Sequence, residues 1–402
     1  MNELLNFEIF SNEELVAKVT AFSSRGHDVY DFSYVPSWIE KGYSLDPTLY
    51  FTSDIQHVQV LPPCLQDICP DRWGRLIQKR KLGYTPSSTE YLLGVSDYFR
   101  MGALRIKVNG NFVDDSTDRP KLTSLNELIE ASRQVELGNT SDHDINLLFA
   151  PSGSLGGARP KGCVVDKGQL FLAKFPSIND QDIQLSKCEK VYLDLAKEAG
   201  IRACSSKVIE SKFGDVLLLP RFDRNSNNTR IPFMSAMTAL GLSENDELDN
   251  YSYVDLAMSE FMTSKEQKQE LFRRMLFNGL FGNTDDHLRN HGFLRINGEW
   301  QLSPAYDLTP NTVPYNKQHH ALCFVEGKDL PSLELFDEIK DFFDVDDKIY
   351  KSILLDMKKA QESSLTLLKK NKVSPDNIKL LQNNFDHDDF RKIGLADFVS
   401  FL

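Results

Sequence analysis

The pattern of apolar residues changes character near Phe222, and this change constrains the fold more than any other feature of the sequence. Before it, short alternating stretches such as FEIF, DVYDFSYV, GALRIKV, GCVVD and QLFLAKF are separated by Pro and Gly, which is typical of short strands. After it, long segments such as KEQKQELFRRMLFNGLFG carry apolar residues at helical spacing. The sequence therefore predicts a β-rich part followed by a helical part.

Three helices are predicted within the β-rich part. PDRWGRLIQKR begins with Pro and Asp ahead of apolar residues at helical spacing, which is typical of a helix start. LTSLNELIEASRQVELG is amphipathic and ends at Gly138, a residue that commonly terminates helices. SKCEKVYLDLAKEAGI has the same periodicity and follows two predicted strands. The β-rich part is therefore mixed α+β.

The length of 402 residues is too great for one ordinary core. Domains of roughly 100 to 200 residues suggest two or three lobes with a cleft between them. A hydrophobic content of 41% and a charged content of 26% are typical of folded proteins. The predicted boundaries give an N-terminal subdomain at 1–144, a β-rich lobe with a phosphate loop at 145–222, and a helical lobe with a catalytic loop at 223–402.

Charge and cysteine content exclude several classes of protein. A net charge of −12 argues against broad electrostatic binding of the whole chain to nucleic acid, which relies on Lys and Arg. The six cysteines include no CxxC pair, so neither a zinc site nor a disulfide framework is predicted. The N-terminus carries acidic residues where a secretory leader carries basic ones, and no apolar run is long enough to span a bilayer. We expect a cytoplasmic protein.

The segment GNTDDHLRN, residues 282–290, carries the sharpest chemical signal. It follows a long helical stretch and clusters Asp285, Asp286, His287 and Asn290 with a single apolar residue. Phosphoryl transfer needs a carboxylate that orients an attacking hydroxyl and accepts its proton, and Asp285 is the candidate. The spacing from Asp285 to Asn290 matches the end of the protein-kinase catalytic loop, although the preceding His-Arg is missing. The alternative is that these acids are ordinary loop residues that cap helices.

A second carboxylate follows in the sequence where a kinase has its metal-binding aspartate. GFLRINGEWQLSPAYDL predicts two short strands around an Asn-Gly turn, with Asp307 just beyond the second strand. Mg²⁺ prefers oxygen ligands and usually keeps several waters, so one amide oxygen and one carboxylate form a suitable protein contribution. Asn290 and Asp307 are the predicted magnesium ligands.

Two charged residues upstream complete the order found in protein kinases. Lys174 lies in the apolar strand LFLAKF, where a lysine is costly to bury unless it meets an anion such as an ATP phosphate. Glu189 lies early in the next predicted helix and can pair with Lys174, as the strand lysine and helix glutamate do in kinases. A solvated helix glutamate is the alternative. The order Lys, Glu, Asp, Asn, Asp nevertheless matches a kinase.

The loop PSGSLGGARPK, residues 151–161, precedes a predicted strand and is rich in Gly and Ser. Flexible backbone with exposed amides suits phosphate binding, although the loop matches neither a Walker A motif nor GxGxxG and a plain turn is the alternative. The stretch DVLLLPRFDR then predicts a strand whose backbone contacts adenine, or merely a linker. The further candidates for nucleotide binding are Ser154, Gly156, Gly157, Arg159, Lys161, Phe222 and His287.

The chain resembles the HipA family of toxin kinases, the toxin half of bacterial toxin and antitoxin pairs. The resemblance covers nearly the whole chain, and its motifs are PDRWGRL at 70–76, SLGGARPK at 154–161, LAKFP at 172–176, LPRFDR at 219–224, GNTDDHLRN at 282–290 and SPAYDLTP at 303–310. It implies an α+β fold that is bilobal and protein-kinase-like, with an additional N-terminal subdomain and an all-helical C-terminal lobe.

The resemblance also implies roles for individual residues. Asp285 is then the catalytic aspartate, Asn290 and Asp307 bind Mg²⁺, and Lys174 binds the ATP phosphates. Ser154 corresponds to the position at which family members autophosphorylate and become inactive, with Ser152 as a second candidate. A phosphate on this loop would repel the phosphates of ATP.

Two positions depart from the family pattern. Pro220 stands where the family usually has Glu, which removes a side-chain acceptor and a backbone N–H at the predicted adenine strand. This departure bears on nucleotide affinity. Arg289 stands where Lys is common, a change that keeps the positive charge.

The resemblance implies a serine/threonine protein kinase that is neutralised by a small helix-turn-helix antitoxin, with DNA contacted mainly through the antitoxin. Its protein substrate is expected to be of the aminoacyl-tRNA synthetase kind, which some family members phosphorylate. Two alternatives remain open. One is a small-molecule kinase of the aminoglycoside or choline type, which shares the lobes and a similar catalytic loop. The other is a non-catalytic subunit of a repressor complex, with local basic segments such as 72–80 at the DNA.

Overall fold

The computed structural model describes residues 3–24, 27–114, 120–152, 157–180 and 183–393. The chain forms two compact units. Unit one comprises Met1–Ile178, Glu210–Asn245 and Leu294–Gly298, and unit two comprises Asn179–Ile209, Asp246–Phe293 and Glu299–Leu402. The subdomain boundaries near 144 and 222 stay a prediction.

A six-stranded sheet forms the first part of unit one, with the order β4-β3-β2-β1-β5-β6. Phe7 and Ile9 alternate along β1 and are buried, whereas Glu8 faces Lys18 on one neighbouring strand and Lys107 on the other. Such cross-strand pairs of opposite charge stabilise the register of a sheet with one buried face. The strands are β1 (Glu3–Ser11), β2 (Glu14–Ser24), β3 (His27–Tyr34), β4 (Gln56–Val58), β5 (Leu104–Val108) and β6 (Asn111–Phe112).

Two of the predicted helices of unit one begin and end where their sequences indicate. Asp71 caps the helix of the PDRWGRL motif by accepting a hydrogen bond from Gly74 N at 2.7 Å. Gly138 ends the second helix with a left-handed φ of 77°, which a residue with a side chain rarely adopts. The helices up to residue 149 are α1 (Pro36–Ile39), α2 (Pro63–Gln66), α3 (Arg72–Leu82), α4 (Ser88–Leu93), α5 (Leu125–Leu137) and α6 (Asp142–Phe149).

The predicted strands after residue 160 form a second sheet with the order β7-β8-β10-β9. The pairs β7–β8 and β8–β10 are antiparallel. Residues 216–219 are all buried, and their strand lies inside the sheet between two neighbouring strands. The strands are β7 (Lys161–Asp166), β8 (Gln169–Lys174), β9 (Lys207–Ser211) and β10 (Gly214–Pro220). The chain passes from unit two to unit one within β9.

Helices are the main regular structure of the chain after residue 222. The third predicted helix of the β-rich part lies in unit two. The aromatic rings of Phe277 and Phe281 stack at 4.4 Å in the core of unit two, and Tyr192 packs edge-on against Phe277. These helices are α7 (Leu185–Glu198), α8 (Ala236–Ala239), α9 (Tyr253–Ala257), α10 (Lys265–Phe281), α11 (Leu333–Ile339), α12 (Asp347–Lys370), α13 (Pro375–Leu380) and α14 (Asp388–Ile393).

The mixed α and β character is confirmed, but the description of residues 223–402 as all-helical is wrong. This part contains β11 (Phe233–Ser235), β12 (Gly292–Ile296) and β13 (Glu299–Leu302). Asn297 and Gly298 have φ values of 53° and 84°, which is the tight turn that the Asn-Gly pair predicts between β12 and β13. β11 is too short to show a strand pattern in the sequence. Among the described residues, no helix is long and apolar enough to cross a membrane.

Candidate functional site

The segment 282–290 of unit two begins where α10 ends. Gly282 ends the helix with a left-handed φ of 71°. A Cβ atom at this position would lie 2.6 Å from Gln318 Oε1 and 2.7 Å from Asn384 Oδ1. Both the backbone angle and the close approach therefore require glycine, and they turn the chain sharply away from α10.

Asp286 anchors this segment in the interior of unit two. Its side chain is fully buried, and its carboxylate accepts hydrogen bonds from Tyr253 Oη at 2.7 Å and from two backbone amides, Ala321 N at 3.1 Å and Leu322 N at 3.3 Å. His320 Nδ1 lies 3.0 Å from the same carboxylate. Four partners on one buried carboxylate fix the backbone of the loop.

Two asparagine side chains extend the hydrogen-bond network beyond Tyr253. Asn278 Nδ2 donates to Tyr253 Oη at 2.8 Å, and Asn283 Nδ2 donates to Asn278 Oδ1 at 3.0 Å. Asn283 Oδ1 in turn accepts a hydrogen bond from Thr309 N at 3.0 Å. The chain of bonds therefore connects α9, α10, the loop and the segment that contains Asp307.

Asp285 differs from its neighbour Asp286 because its side chain is 67% exposed. Its backbone oxygen accepts a hydrogen bond from Asn290 Nδ2 at 2.5 Å, which closes the loop on itself. His287 Nε2 lies 3.9 Å from Asp285 Oδ1. The carboxylate of Asp285 is thus presented to solvent from a rigid backbone, as a group that meets an incoming hydroxyl must be.

The Asp307 segment is hydrogen-bonded to the same loop on both sides of Asp307. Tyr306 Oη donates to Arg289 O at 2.7 Å. Asn311 Nδ2 donates to Thr284 Oγ1 at 2.7 Å, and Asn311 N donates to Gly282 O at 2.8 Å. Asp307 itself has a left-handed φ of 55°, a strained backbone that a non-glycine residue adopts where its surroundings impose it. The structure therefore brings the segments of Asp285, Asn290 and Asp307 together.

The chemistry of Asn290 and Asp307 fits a magnesium ion that is shared with phosphate groups. The amide nitrogen of Asn290 donates to Asp285 O, so a cation at this residue would be bound by the amide oxygen. Within the described ranges, no cluster of three or more His, Cys, Asp or Glu side chains is arranged to hold a metal. One amide oxygen and one carboxylate are what Mg²⁺ takes from a protein when a nucleotide supplies further ligands.

In unit one, Lys174 and Lys161 face each other across the antiparallel pair of β7 and β8. Lys174 is half-buried, whereas Lys161 is only 4% exposed. The ammonium group of Lys161 lies 3.0 Å from Asp71 Oδ2, and both side chains are buried. Two lysines at opposite positions of a sheet repel each other, and the carboxylate of Asp71 offsets the charge of Lys161.

The loop that precedes β7 is described in part. Ser152 is buried and donates its hydroxyl hydrogen to Leu148 O at 2.5 Å. Gly157 has a left-handed φ of 91° and Arg159 is exposed. Ser154 and Gly156 lie outside the described residues.

The remaining predicted residues have clear surroundings in their own units. Glu189 lies on α7 of unit two and is 1% exposed, and its predicted pairing with Lys174 stays a prediction. Phe222 is half-buried and its ring lies 6.2 Å from that of Phe233 in unit one. Pro220 ends β10 opposite Phe171, so the strand tolerates proline at its last position.

The sequence alone does not identify the residues that hold segment 282–290 in place, which are Tyr253, Asn278, Asn283 and His320. Asp286 stands out in the sequence only as one polar residue of that segment. Tyr253 and His320 lie 33 and 34 residues away from Asp286 along the chain. No local pattern distinguishes a buried tyrosine or histidine that binds a carboxylate from an exposed one, so the sequence carried no signal for this network.

Comparison with known proteins gives two family matches and several similar structures. Residues 153–365 match the model of the HipA-like C-terminal domain, and residues 7–107 match that of the HipA N-terminal domain. A search of curated sequences gives no significant match. The structure of the Shewanella oneidensis MR-1 toxin–antitoxin system HipA, HipB and its operator DNA complex is similar over 98% of this chain and 99% of that chain, with a TM-score of 0.71 and 17% identity.

A second similar structure is that of the Helicobacter pylori proinflammatory kinase CtkA. It covers 60% of this chain and 93% of its own, with a TM-score of 0.45 and 15% identity. At this level of identity the Shewanella match shows a shared fold and no more. The family match to the C-terminal domain spans more than half of the 402 residues.

Proposed function

The chain belongs to the HipA family, and from this premise we propose that it is a toxin kinase that transfers the γ-phosphate of ATP to a serine or threonine hydroxyl of a protein. The observation that carries the proposal is the contrast between Asp285 and Asp286. Asp286 is buried with four partners, whereas its neighbour Asp285 presents an exposed carboxylate from the anchored loop.

In this proposal Asp285 orients the attacking hydroxyl and accepts its proton as the new bond to phosphorus forms. The leaving group is ADP. Asn290 and Asp307 hold Mg²⁺, which supplies positive charge to the phosphate oxygens when it is bound. His287, 3.9 Å from Asp285, contributes a polar group beside the transferred phosphate.

Residues of unit one are proposed to bind ATP. Lys174 binds the phosphates, and the opposite position of Lys161 adds charge at the same end of the sheet. Gly156, Gly157, Ser154 and Arg159 form the phosphate loop, and Phe222 follows the strand that contacts adenine.

Autophosphorylation is proposed to regulate the enzyme. Of the two candidate serines, Ser152 is the poorer acceptor because its hydroxyl is buried and already donates to Leu148 O. We therefore assign the modification to Ser154. A phosphoserine there carries about two negative charges and would repel the phosphates of ATP.

The partners are proposed by analogy with the Shewanella complex, whose printed components are HipA, HipB and operator DNA. For this chain we propose a small helix-turn-helix antitoxin, DNA contacted mainly through it, and a protein substrate of the aminoacyl-tRNA synthetase kind in the cytoplasm. The net charge of −12 supports an indirect route to DNA, since the chain as a whole repels phosphates.

Incubation with Mg²⁺ and ATP labelled at the γ-phosphate, with and without a cell lysate, tests the proposed activity. Wild type is compared with Asp285→Ala, Asp307→Ala and the control Asp341→Ala, which changes an exposed aspartate elsewhere in unit two. We expect label on the protein itself and on a lysate protein with wild type and control only. Mass spectrometry of the labelled chain is expected to place the phosphate on Ser154.

Label transfer that survives both Asp285→Ala and Asp307→Ala would contradict the assignment of the site. Label that appears only on small molecules of the lysate would replace the protein-kinase proposal with that of a small-molecule kinase. Phosphate on Ser154 in the Asp285→Ala protein expressed alone would remove self-modification as its cause.

A further inference from the structure

The PDRWGRL motif at the start of α3 has no role in the proposed chemistry, although it lies against residues that do. Asp71 uses its two carboxylate oxygens for different partners. Oδ1 accepts from Gly74 N at 2.7 Å and so caps the helix, while Oδ2 lies 3.0 Å from Lys161 Nζ. Both members of this ion pair are buried, with side-chain exposures of 6% for Lys161 and 4% for Asp71.

The same helix turn contacts both described ends of the phosphate loop. Trp73 N lies 3.5 Å from Gly157 O. A Cβ atom on Gly74 would lie 2.8 Å from Ser152 O, so the helix backbone packs directly on the chain at residue 152. A Cβ atom on Gly157 would lie 2.7 Å from Lys161 Nζ, so the ammonium group occupies the space beside this glycine.

The charges of Asp71, Lys161 and Lys174 determine how these contacts affect ligand binding. Lys161 and Lys174 are direct cross-strand neighbours, and like charges at such positions repel each other. The carboxylate of Asp71 offsets the charge of Lys161 and holds its ammonium group under Gly157. Without that carboxylate, Lys161 would turn away from Lys174 or lose its buried position.

We propose that Asp71 is a positioning residue for nucleotide binding, which acts by holding Lys161 beside Gly157 and Lys174. The inference rests on the proposed function, because it assumes that these residues of unit one bind the phosphates of ATP. Through Asp71, the predicted N-terminal subdomain at 1–144 contributes to the structure of the phosphate-binding site. Asp71 does not touch the nucleotide itself and acts through Lys161.

A double-mutant cycle with Asp71→Ser and Lys161→Met tests this role. Serine is an effective helix cap, so Asp71→Ser removes the charge and preserves the cap on α3. The combined variant removes both charges and leaves no unpaired buried carboxylate. A charge-pair control is Glu14→Ser with Lys41→Met, which removes an exposed ion pair of the same unit.

Two quantities are measured on the full-length chain: the dissociation constant of a fluorescent ATP analogue with Mg²⁺, and hydrogen exchange of the amides at 157–165. We expect Asp71→Ser to weaken binding about 10-fold, which corresponds to about 1.4 kcal/mol. In the Lys161→Met background, Asp71→Ser should have no further effect on binding, because it acts through Lys161. Exchange at 157–165 should rise in Asp71→Ser and stay unchanged in the control.

Asp71→Ser binding within twofold of wild type, or an equal loss of affinity in both backgrounds, would overturn the proposal. Unchanged exchange at 157–165 in Asp71→Ser would also overturn it, even if wild type is an active kinase. A folded wild type that binds no ATP analogue would instead refute the proposed function, and with it any nucleotide role for Asp71. The two failures are therefore distinguishable.

Discussion

Tyr253 donates its hydroxyl hydrogen to Asp286 at 2.7 Å, across 33 residues of the chain, inside the core of unit two. Both side chains are fully buried, and the same hydroxyl accepts a hydrogen bond from Asn278. Burial and the neighbouring carboxylate keep the pKa of the Tyr253 phenol well above its usual value, so it remains a donor at physiological pH. This bond connects α9 to the loop that presents Asp285.

Replacing Tyr253 with Phe should destabilise unit two and weaken catalysis. The change removes one of the partners of Asp286 and leaves Asn278 Nδ2 without its acceptor, which costs about 1 to 3 kcal/mol. Denaturant unfolding monitors stability, and labelled ATP monitors activity. The control is Tyr50→Phe at a tyrosine that is 80% exposed, and equal stability of the two variants would contradict the role of the bond.

Replacing Asp285 with Ala should abolish activity and leave stability almost unchanged. Its side chain is 67% exposed, and surface substitutions usually change the free energy of unfolding by no more than about 0.5 kcal/mol. Loss of the group that accepts the hydroxyl proton should lower kcat about 100-fold or more. A matched fall in stability and activity would show that Asp285 supports the fold instead.

Replacing Asp223 with Asn should strongly destabilise unit one. Asp223 is fully buried and accepts from Arg221 Nε at 2.7 Å, from Arg224 Nη1 at 2.6 Å and from Gly102 N at 2.7 Å. Loss of its charge would leave two buried guanidinium groups without a counter-ion, at a cost of about 3 to 5 kcal/mol. Denaturant unfolding at pH 7 checks this cost, with Asp341→Asn as the exposed control.

The same substitution should show a defined pH dependence. Burial by itself would raise the pKa of the Asp223 carboxyl, but Arg221 and Arg224 outweigh it and hold the pKa well below its usual range. The stabilisation is therefore complete above the unfolded pKa of about 3.9 and is lost as pH falls below it. The difference in stability between wild type and Asp223→Asn should shrink between pH 5 and pH 3, and a constant difference would contradict the ion pairing.

His387 should make unit two less stable in mild acid. Its ring stacks on Tyr315 at 3.7 Å, and its Nε2 lies 2.9 Å from Leu280 O. Burial lowers the pKa of the His387 imidazole, so the unfolded chain binds this proton more readily than the folded chain. Stability therefore falls as pH drops below the unfolded value of about 6.5.

The check is thermal unfolding of wild type, His387→Gln and the exposed control His143→Gln at pH 7 and pH 5.5. The decrease in Tm on acidification should be smaller in His387→Gln than in wild type and unchanged in His143→Gln. An equal decrease in all three would show that His387 does not titrate differently in the folded state.

Local sequence patterns predicted the turns and helix ends that depend only on neighbouring residues. The Asn297–Gly298 turn, the Gly138 helix end and the Asp71 cap all appear where their sequences indicate, because each depends on backbone angles and on neighbours within a few residues. β11 was not predicted, since three residues are too few to show a period. The description of the C-terminal part as all-helical also disregarded the two strands predicted around the Asn-Gly turn.

Residue type alone does not tell which of two adjacent aspartates is functional. Asp285 and Asp286 are the same residue type at neighbouring positions, yet the first is 67% exposed and the second is fully buried. Lys161 and Lys174 likewise face one another in the sheet, and Asp71, far away in the chain, holds one of them. The spacing of polar residues was sufficient to locate a candidate phosphoryl-transfer segment, because that chemistry needs particular groups in a particular order. Burial and ion pairing depend on residues that are distant in the chain, so only the folded molecule separates the carboxylate that anchors the loop from the one that meets the substrate.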